Sequence, residues 1–243
     1  MMYKTFLLLF VCISVQFCAA TQTTDTNTPK VVKSTDETEL IENLRLTYPS
    51  HQALTASFKL RAFQKGKKVY LIGKLKTGFD NEDRIISIKL YDAVFSSLIY
   101  SLDINGAEVK TFNHMKRRSE TVPLEDFYLV ELFGAYFPFK FLVPFMYGSI
   151  PEVIYLKNTA IDTEKGFIDY VGDTYHLRTH ITQNAVDKLE YKDFYTGAIT
   201  YITFTGKLKN PKAYHFPKSI KVTNSKSEEY VSIDFTQVKF LEE

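Results

Sequence analysis

The chain has 243 residues, with 30 Lys and Arg against 28 Asp and Glu and a formal net charge of +2. That near-neutral balance offers no polyanion-binding surface and ranks nucleic acid low as a partner. With an exported terminus set aside, about 200 residues remain, which suits one all-β domain with a single sizeable core better than two domains.

Residues 1–20 have a short front carrying Lys4, an apolar run over 6–15, and small residues at Cys18, Ala19 and Ala20. This pattern predicts a secretory signal peptide rather than a spanning helix, and so export from the cytoplasm. Both cysteines, Cys12 and Cys18, lie in it, so a product cleaved after Ala20 holds neither disulfide nor thiolate. Cys18 has two readings. In one it is the lipidation site of a bacterial lipoprotein, with Phe17 standing where that signal usually has a small residue. In the other it is discarded with the leader. Residues 21–35, rich in Thr, Asp, Lys and Asn, are too polar to bury and predict a flexible linker. With lipid on Cys18, the ~17 residues up to 35 would span about 20–25 Å, a reach suited to a domain working near a bilayer. The folded domain is expected over 36–243.

Ser34 and Glu37 have the spacing of a capping box, and Leu40, Ile41, Leu44 and Tyr48 then share a helical face until Pro49. From there the period changes to two. Leu54, Ala56, Phe58, Leu60 and Ala62 alternate with polar residues, predicting a strand with one wet face. Val69, Leu71, Gly73 and Leu75 continue the pattern after a turn at 64–67, and Ile86, Ile88 and Leu90 repeat it. Leu98, Tyr100, Leu102 and Ile104 lead into Asn105-Gly106, a strong hairpin signal, with a fifth strand expected over 107–113.

Residues 127–148 are dense in rings, among them Phe127, Phe133, Phe137, Phe141 and Phe145, together with aliphatics such as Leu132. The stretch approaches the length of a membrane span, but Glu131, Gly134, Pro138, Lys140 and Pro144 break it. A helix over 124–136 started by Pro123, then a second short turn or helix reaching 147, fits better. With so little polar surface, the pair must lie against the sheet. Its rings either fill the concave face permanently or form a lid that hydrocarbon displaces, and the sequence leaves both open.

Alternation resumes over 153–157, 167–171, 175–182, 186–192, 199–208, 219–222 and 229–240. In the last of these, apolar parity is odd through Val231, Ile233 and Phe235 and even at Val238 and Phe240, which predicts a bulge near Thr236-Gln237. Neither a fixed-period repeat nor βαβ alternation is visible, so the fold class is mainly β: a strongly curved antiparallel sheet of about ten strands.

No recognised catalytic or nucleotide-binding motif occurs, and the expectation is a non-enzyme without cofactor or metal. His176 and His180 stand four residues apart, but on a strand that separates them by roughly 13 Å, too far to share an ion. The favoured reading is a polar face shared with Arg178. The carboxylates Asp80 and Glu82, and Glu125 and Asp126, fall in predicted turns or at a helix start, where they cap or solvate.

Taken together, the leader, the helix ending near Tyr48, the run Leu54-Thr-Ala-Ser-Phe-Lys-Leu, the strand Ile85-Ile-Ser-Ile-Lys-Leu, the Asn-Gly hairpin, the internal helices and the closing Ile233-Asp-Phe-Thr-Gln-Val-Lys resemble the LolA/LolB family. That family comprises periplasmic carriers and outer-membrane receptors for bacterial lipoproteins. The resemblance covers most of residues 36–240 in order and pattern. It implies an unclosed half-barrel of about eleven strands with helices covering its concave face.

The resemblance further implies that acyl chains of lipoproteins are held between sheet and helices. Here they would lie on Phe58, Leu60, Leu71, Ile86, Ile88 and Leu98, under Phe127, Leu132, Phe133, Phe137, Phe141 and Phe145. Receptor members are acylated, which places lipid on Cys18. They push a hydrophobic loop between the third and fourth strands into the membrane, here residues 91–97 with Val94 and Phe95 at the tip. The implied function is lipoprotein transport or insertion at the outer membrane, as a LolB-like receptor or a LolA-like periplasmic carrier. Its partners would be acylated lipoproteins, the outer membrane and another Lol-system protein. The alternative is a surface-exposed or periplasmic interaction lipoprotein with a filled core and no lipid cargo.

Overall fold

A computed structural model describes residues 35–48, 53–80, 83–128, 137–156, 159–208 and 216–241. The predicted signal peptide, Cys18, the capping-box Ser34 and all of the predicted linker but Thr35 lie outside the described residues, as do Leu132 and Phe133.

Helix α1 (Thr35–Thr47) is followed by β1 (Leu54–Gln64), β2 (Lys67–Asp80), β3 (Asp83–Asp92), β4 (Leu98–Asn105), β5 (Glu108–Asn113) and β6 (Arg118–Pro123). After a segment of single 3-10 turns come β7 (Ala160–Asp162), β8 (Phe167–Val171), β9 (Tyr175–Thr182), β10 (Ala185–Asp193), β11 (Ile199–Leu208), β12 (Phe216–Asn224) and β13 (Tyr230–Phe240). All thirteen strands form one sheet in the order β6-β5-β4-β3-β2-β1-β13-β12-β11-β10-β9-β8-β7. The chain enters at the centre on β1 and meanders out to β6. It crosses the concave face, resumes at the far edge on β7, and meanders back until β13 pairs with β1. The edges β6 and β7 are not joined, so the sheet is an unclosed half-barrel.

The two strands that periodicity did not predict are these outer edges. β6 reads Arg-Ser-Glu-Thr-Val-Pro, and only Val122 packs on the core, so no apolar alternation marks it. Such a polar edge resists pairing with another chain. β7 has only three residues.

Curvature comes from bulges. Ser57 pairs with Gln237 but Phe58 with Phe235, leaving Thr236 as the extra residue, where the parity change predicted it. The Thr236 hydroxyl donates to the Ser57 carbonyl at 3.1 Å. Register also shifts at Val186/Lys188 and at Leu90/Tyr91. Each shift sharpens the local twist and bends the sheet.

α1 buries Ile41 and Leu44, with Tyr48 just beyond its end, and the Val186 N–H of β10 donates to the Tyr48 hydroxyl at 3.0 Å. Burial pushes that hydroxyl up to about 12.

Two expected elements differ. The strand predicted over 153–157 is a 3-10 turn at Glu152–Tyr155, started by Pro151, with Ile154 buried between half-exposed neighbours. Of the helix predicted over 124–136, Leu124–Asp126 is a 3-10 turn and Tyr128 bridges in extended form to Pro138. Residues 129–136 lie outside the described residues. The continuation to 147 consists of two 3-10 turns, Phe139–Phe141 and Pro144–Tyr147. Pro138 and Pro144 lack the N–H a longer helix needs, and Gly148 at φ 76° ends the second turn. Among the described residues, no helix is long and apolar enough to cross a membrane.

Candidate functional site

The concave face is built by cross-strand rows of inward side chains. One row runs Phe58, Gly73, Leu90, Tyr100 across β1–β4, and the next Leu75, Ile88, Leu102. On the other side of β1 the rows continue into Phe235, Ile233 and Val231 of β13 and Val222 of β12. Gly73 is required in its row: a Cβ there would sit 2.0 Å from the Phe58 ring, which lies across its strand. Between this floor and Phe139, Leu142 and Met146 is an apolar cavity of about 40 Å³.

The roof, residues 137–147, lies deep against the sheet. Phe137, Phe139, Phe141, Leu142, Val143, Phe145, Met146 and Tyr147 are all buried. Its rings reach Tyr191, Tyr175 and Phe204 on β9–β11, the tightest pair being Phe145 and Phe204 with centroids 4.4 Å apart. Its backbone is satisfied locally: the N–H groups of Phe141, Leu142, Val143, Phe145, Met146, Gly148 and Ser149 all donate to carbonyls within 138–145. Phe139 N–H donates to Phe127 at 2.9 Å, and Lys140 pairs with Glu125, both toward the preceding turn. The roof therefore adheres to the sheet through apolar side chains, not through the sheet's hydrogen-bond ladder.

Two further spaces flank it. A cavity of about 210 Å³ lies beside Phe145, walled by Tyr48, Val186, Phe204 and Phe216. Met146 faces the central cavity and its neighbour Phe145 this second one, so the roof is the partition between them. On the roof's other side is an open groove of about 440 Å³ bordered by Arg84, Glu125, Lys140, Tyr147 and Glu152. The Tyr147 hydroxyl is buried without a hydrogen-bond partner. Burial pushes its pKa up, against a smaller downward pull from Arg84, whose guanidinium lies 5.6 Å from the ring centroid.

Of the sequence-predicted residues, Phe58, Leu60 and Ile88 line the central cavity. Ile86 is buried on the same face and Leu71 half-buried at its end, both outside the cavity lining. Leu98 lies beyond the β3–β4 bulge, opposite Tyr91, and does not reach it. Phe127, Phe137, Phe141 and Phe145 are buried; Phe145 lines the second cavity and Phe141 the groove. Residues sequence reasoning did not select include Val222, Val231, Ile233 and Phe235, which the β1–β13 pairing brings to the centre, and Phe139, Leu142 and Met146 of the roof. Their alternation was visible, but the pairing that carries β13 to β1 was not.

Val94 and Phe95 occupy the β3–β4 turn and are 80% and 83% exposed. On the convex face, His176 lies 3.0 Å from Asp169 and His180 3.0 Å from Glu190, so each has its own carboxylate, and Arg178 forks onto Asp169 at 2.8 Å. Among the described residues, no group of three or more His, Cys, Asp or Glu could hold a metal ion.

No family model and no curated protein matches this sequence. Solved structures do match in fold. A Vibrio parahaemolyticus domain described as outer membrane lipoprotein-sorting superposes with TM-score 0.54 at 11% identity, over 86% of this chain and 95% of its own. A LolA superfamily protein from Nitrosomonas europaea gives TM-score 0.50 at 10% identity, covering 87% and 96%. A DUF1329 family protein from Desulfovibrio piger gives 0.52 at 9%, covering 86% and 94%. The open sheet with its covered concave face is thus a LolA/LolB-like fold. At such identities the likeness extends to the fold alone.

Proposed function

We propose that this chain is an exported, non-catalytic acyl-chain-binding protein that takes part in lipoprotein transport or insertion at the outer membrane. The observation that carries this reading is a concave apolar floor covered by a segment that meets the sheet through apolar side chains and not through its hydrogen-bond ladder. Displacing residues 137–147 breaks no sheet ladder and opens the wall between the central and flanking cavities. An acyl chain would then lie on Phe58, Leu60 and Ile88, in the place vacated by Phe139, Leu142 and Met146. Burying ~10 methylenes at about 0.8 kcal/mol each gives ~8 kcal/mol before costs, enough for micromolar holding with ready release. Val94 and Phe95 would contact the membrane into which the chain is delivered, and residues 1–20 would direct export.

Saturable binding of a fluorescent fatty acid by the purified protein, with co-purifying lipid in native mass spectrometry, supports this reading. A probe-inert protein free of lipid would sink it. That outcome belongs to a second reading, an exported interaction protein with a filled core. The small central cavity favours this alternative, since ligand pockets run to about 300–1,000 Å³. Radioactive palmitate separates the two modes of action. Label lost on Cys18→Ser marks an anchored receptor, and an unlabelled product beginning at Thr21 marks a soluble carrier.

A further inference from the structure

Six hairpin turns lie at one end of the half-barrel: β1–β2, β3–β4, β5–β6, β8–β9, β10–β11 and β12–β13. Two of them have the same construction. In β3–β4, Asp92 N–H donates to Ser97 O, Ser96 N–H returns to Asp92 O, Phe95 N–H donates to Asp92 Oδ1 at 2.7 Å, and Ser96 has φ 54°. In β10–β11, Asp193 N–H donates to Ala198 O, Gly197 N–H returns to Asp193 O, Thr196 N–H donates to Asp193 Oδ1 at 2.6 Å, and Gly197 has φ 62°. The β5–β6 turn shares the side-chain cap, Lys116 N–H to Asn113 Oδ1, and the positive φ at Arg117. These caps define the backbone of the turns, and the tips are apolar: Val94-Phe95, Met115 and Phe194-Tyr195, with Phe95 and Tyr195 each 83% exposed.

The turn itself does not require such residues. At the opposite end, β7–β8 uses the same cap, Lys165 N–H to Asp162 Oδ1 with Gly166 at φ 65°, and carries Thr163, Glu164 and Lys165. The other described turns there, around Gly106 and at Gln183-Asn184, are polar too. Folding therefore does not explain the apolar tips, and grouped exposed apolar residues mark a contact surface. The charge around them is mixed, basic beside Val94-Phe95 and Met115 and acidic beside Phe194-Tyr195. Lys65, Lys67, Lys116, Arg117 and Lys226 share this rim with Asp92, Asp173, Asp193, Glu228 and Glu229. The two loop aspartates are engaged in caps, and Glu229 accepts the Lys65 N–H. Lys226 also donates to the Thr196 carbonyl, bracing the Phe194-Tyr195 tip.

We infer that this whole rim docks on a lipid bilayer, with Phe194-Tyr195 as a second insertion point across the rim from Val94-Phe95 and Met115. Aromatic and aliphatic tips enter the interfacial layer while Lys and Arg meet lipid phosphates. This rests on the membrane contact proposed above for Val94 and Phe95 and extends it from one loop to a rim, which fixes the orientation of the half-barrel on the membrane.

The chain contains no tryptophan, so single replacements report without background. Phe95→Trp, Tyr195→Trp and Glu164→Trp in the full chain would be titrated with vesicles of phosphatidylcholine and phosphatidylglycerol containing brominated lipid. Blue shift and quenching at 95 and 195, with 164 silent, are expected, and comparison within one chain cancels any tethering by the N-terminal segment. Tyr195→Ser should weaken vesicle partitioning about tenfold, from the loss of a ring that has most of its area to bury. Quenching at 95 alone, equal quenching at all three sites, or a concentration-dependent shift without vesicles would overturn the rim; the last would mark a second copy as the occupant. Fatty-acid binding by the same variants is read separately. Normal uptake with an unquenched Tyr195→Trp rejects the rim and leaves the acyl-chain reading standing, and the reverse result rejects only the latter.

Discussion

Leu142→Ala tests the competition between the roof and an acyl chain most directly. Leu142 is 1% exposed and faces the central cavity from the roof. Truncation removes about three methyl-sized groups at ~0.8 kcal/mol each, so the closed form loses ~2.4 kcal/mol before any cavity contribution. On the proposed reading, the bound form has the roof displaced and Leu142 off the floor, so it loses little. The fraction of molecules competent to bind rises accordingly. Apparent affinity for a fluorescent fatty acid should improve by about fiftyfold, until the open form predominates. Global stability should fall by a similar free energy in urea unfolding.

Leu102→Ala supplies the contrast. Leu102 is on the floor, where it meets the roof in one state and the acyl chain in the other, so its loss nearly cancels. Stability should again fall by about 2–5 kcal/mol, but probe affinity should change by less than about threefold. If Leu142→Ala weakens or leaves unchanged the binding of the probe while the protein remains folded, the roof and the ligand do not compete, and the displacement mechanism is wrong.

Gly73→Ala should destabilise by about 1–3 kcal/mol in urea unfolding, because the Phe58 ring must leave its place over the glycine; an unchanged midpoint would contradict the geometry. Tyr48→Phe leaves the buried Val186 N–H without its hydroxyl acceptor and should cost about 1–3 kcal/mol, read by thermal unfolding. Burial raises the Asp169 pKa, but hydrogen bonds from Arg178 and His176 outweigh it, so the carboxyl lies below its ordinary value. Its contribution is therefore full above the unfolded value near ~3.9 and fades as pH falls through the lower folded value. Asp169→Asn should flatten that acid limb of stability and lower the plateau by about 1.5–3 kcal/mol.

Much of this fold was legible because one face of each long strand is wet. Alternation in β1–β4 identified the inward row, and the parity change after Phe235 located the Thr236 bulge two strands of argument away from any contact. What stayed hidden lacked that signal. β6 has no apolar row to alternate, and the turn at Glu152–Tyr155 looked extended because Val153 and Tyr155 share a parity. Leu98 has the parity of Tyr100 and Leu102, yet the shift at Leu90/Tyr91 places it opposite an outward-facing residue. The half of the cavity floor supplied by β12 and β13 depends on a pairing between residues far apart in the chain, such as Phe58 and Phe235, which local periodicity does not encode.

The roof's composition follows from what exchange of hydrocarbon demands. Phe139, Leu142 and Met146 stabilise closure by about 1.5–3 kcal/mol each, or roughly 5–9 kcal/mol together. That range brackets the ~8 kcal/mol available from ~10 buried methylenes, so on the proposed reading roof and cargo are closely matched. Matching makes uptake and release both accessible, with direction set by whichever neighbouring site buries the chain better. A roof joined to the sheet by ladder hydrogen bonds would add a backbone cost that no acyl chain could offset, since hydrocarbon has nothing to donate or accept. Prolines at 138 and 144 and self-contained 3-10 turns remove that cost, because the segment keeps its own backbone bonds on either side of the exchange.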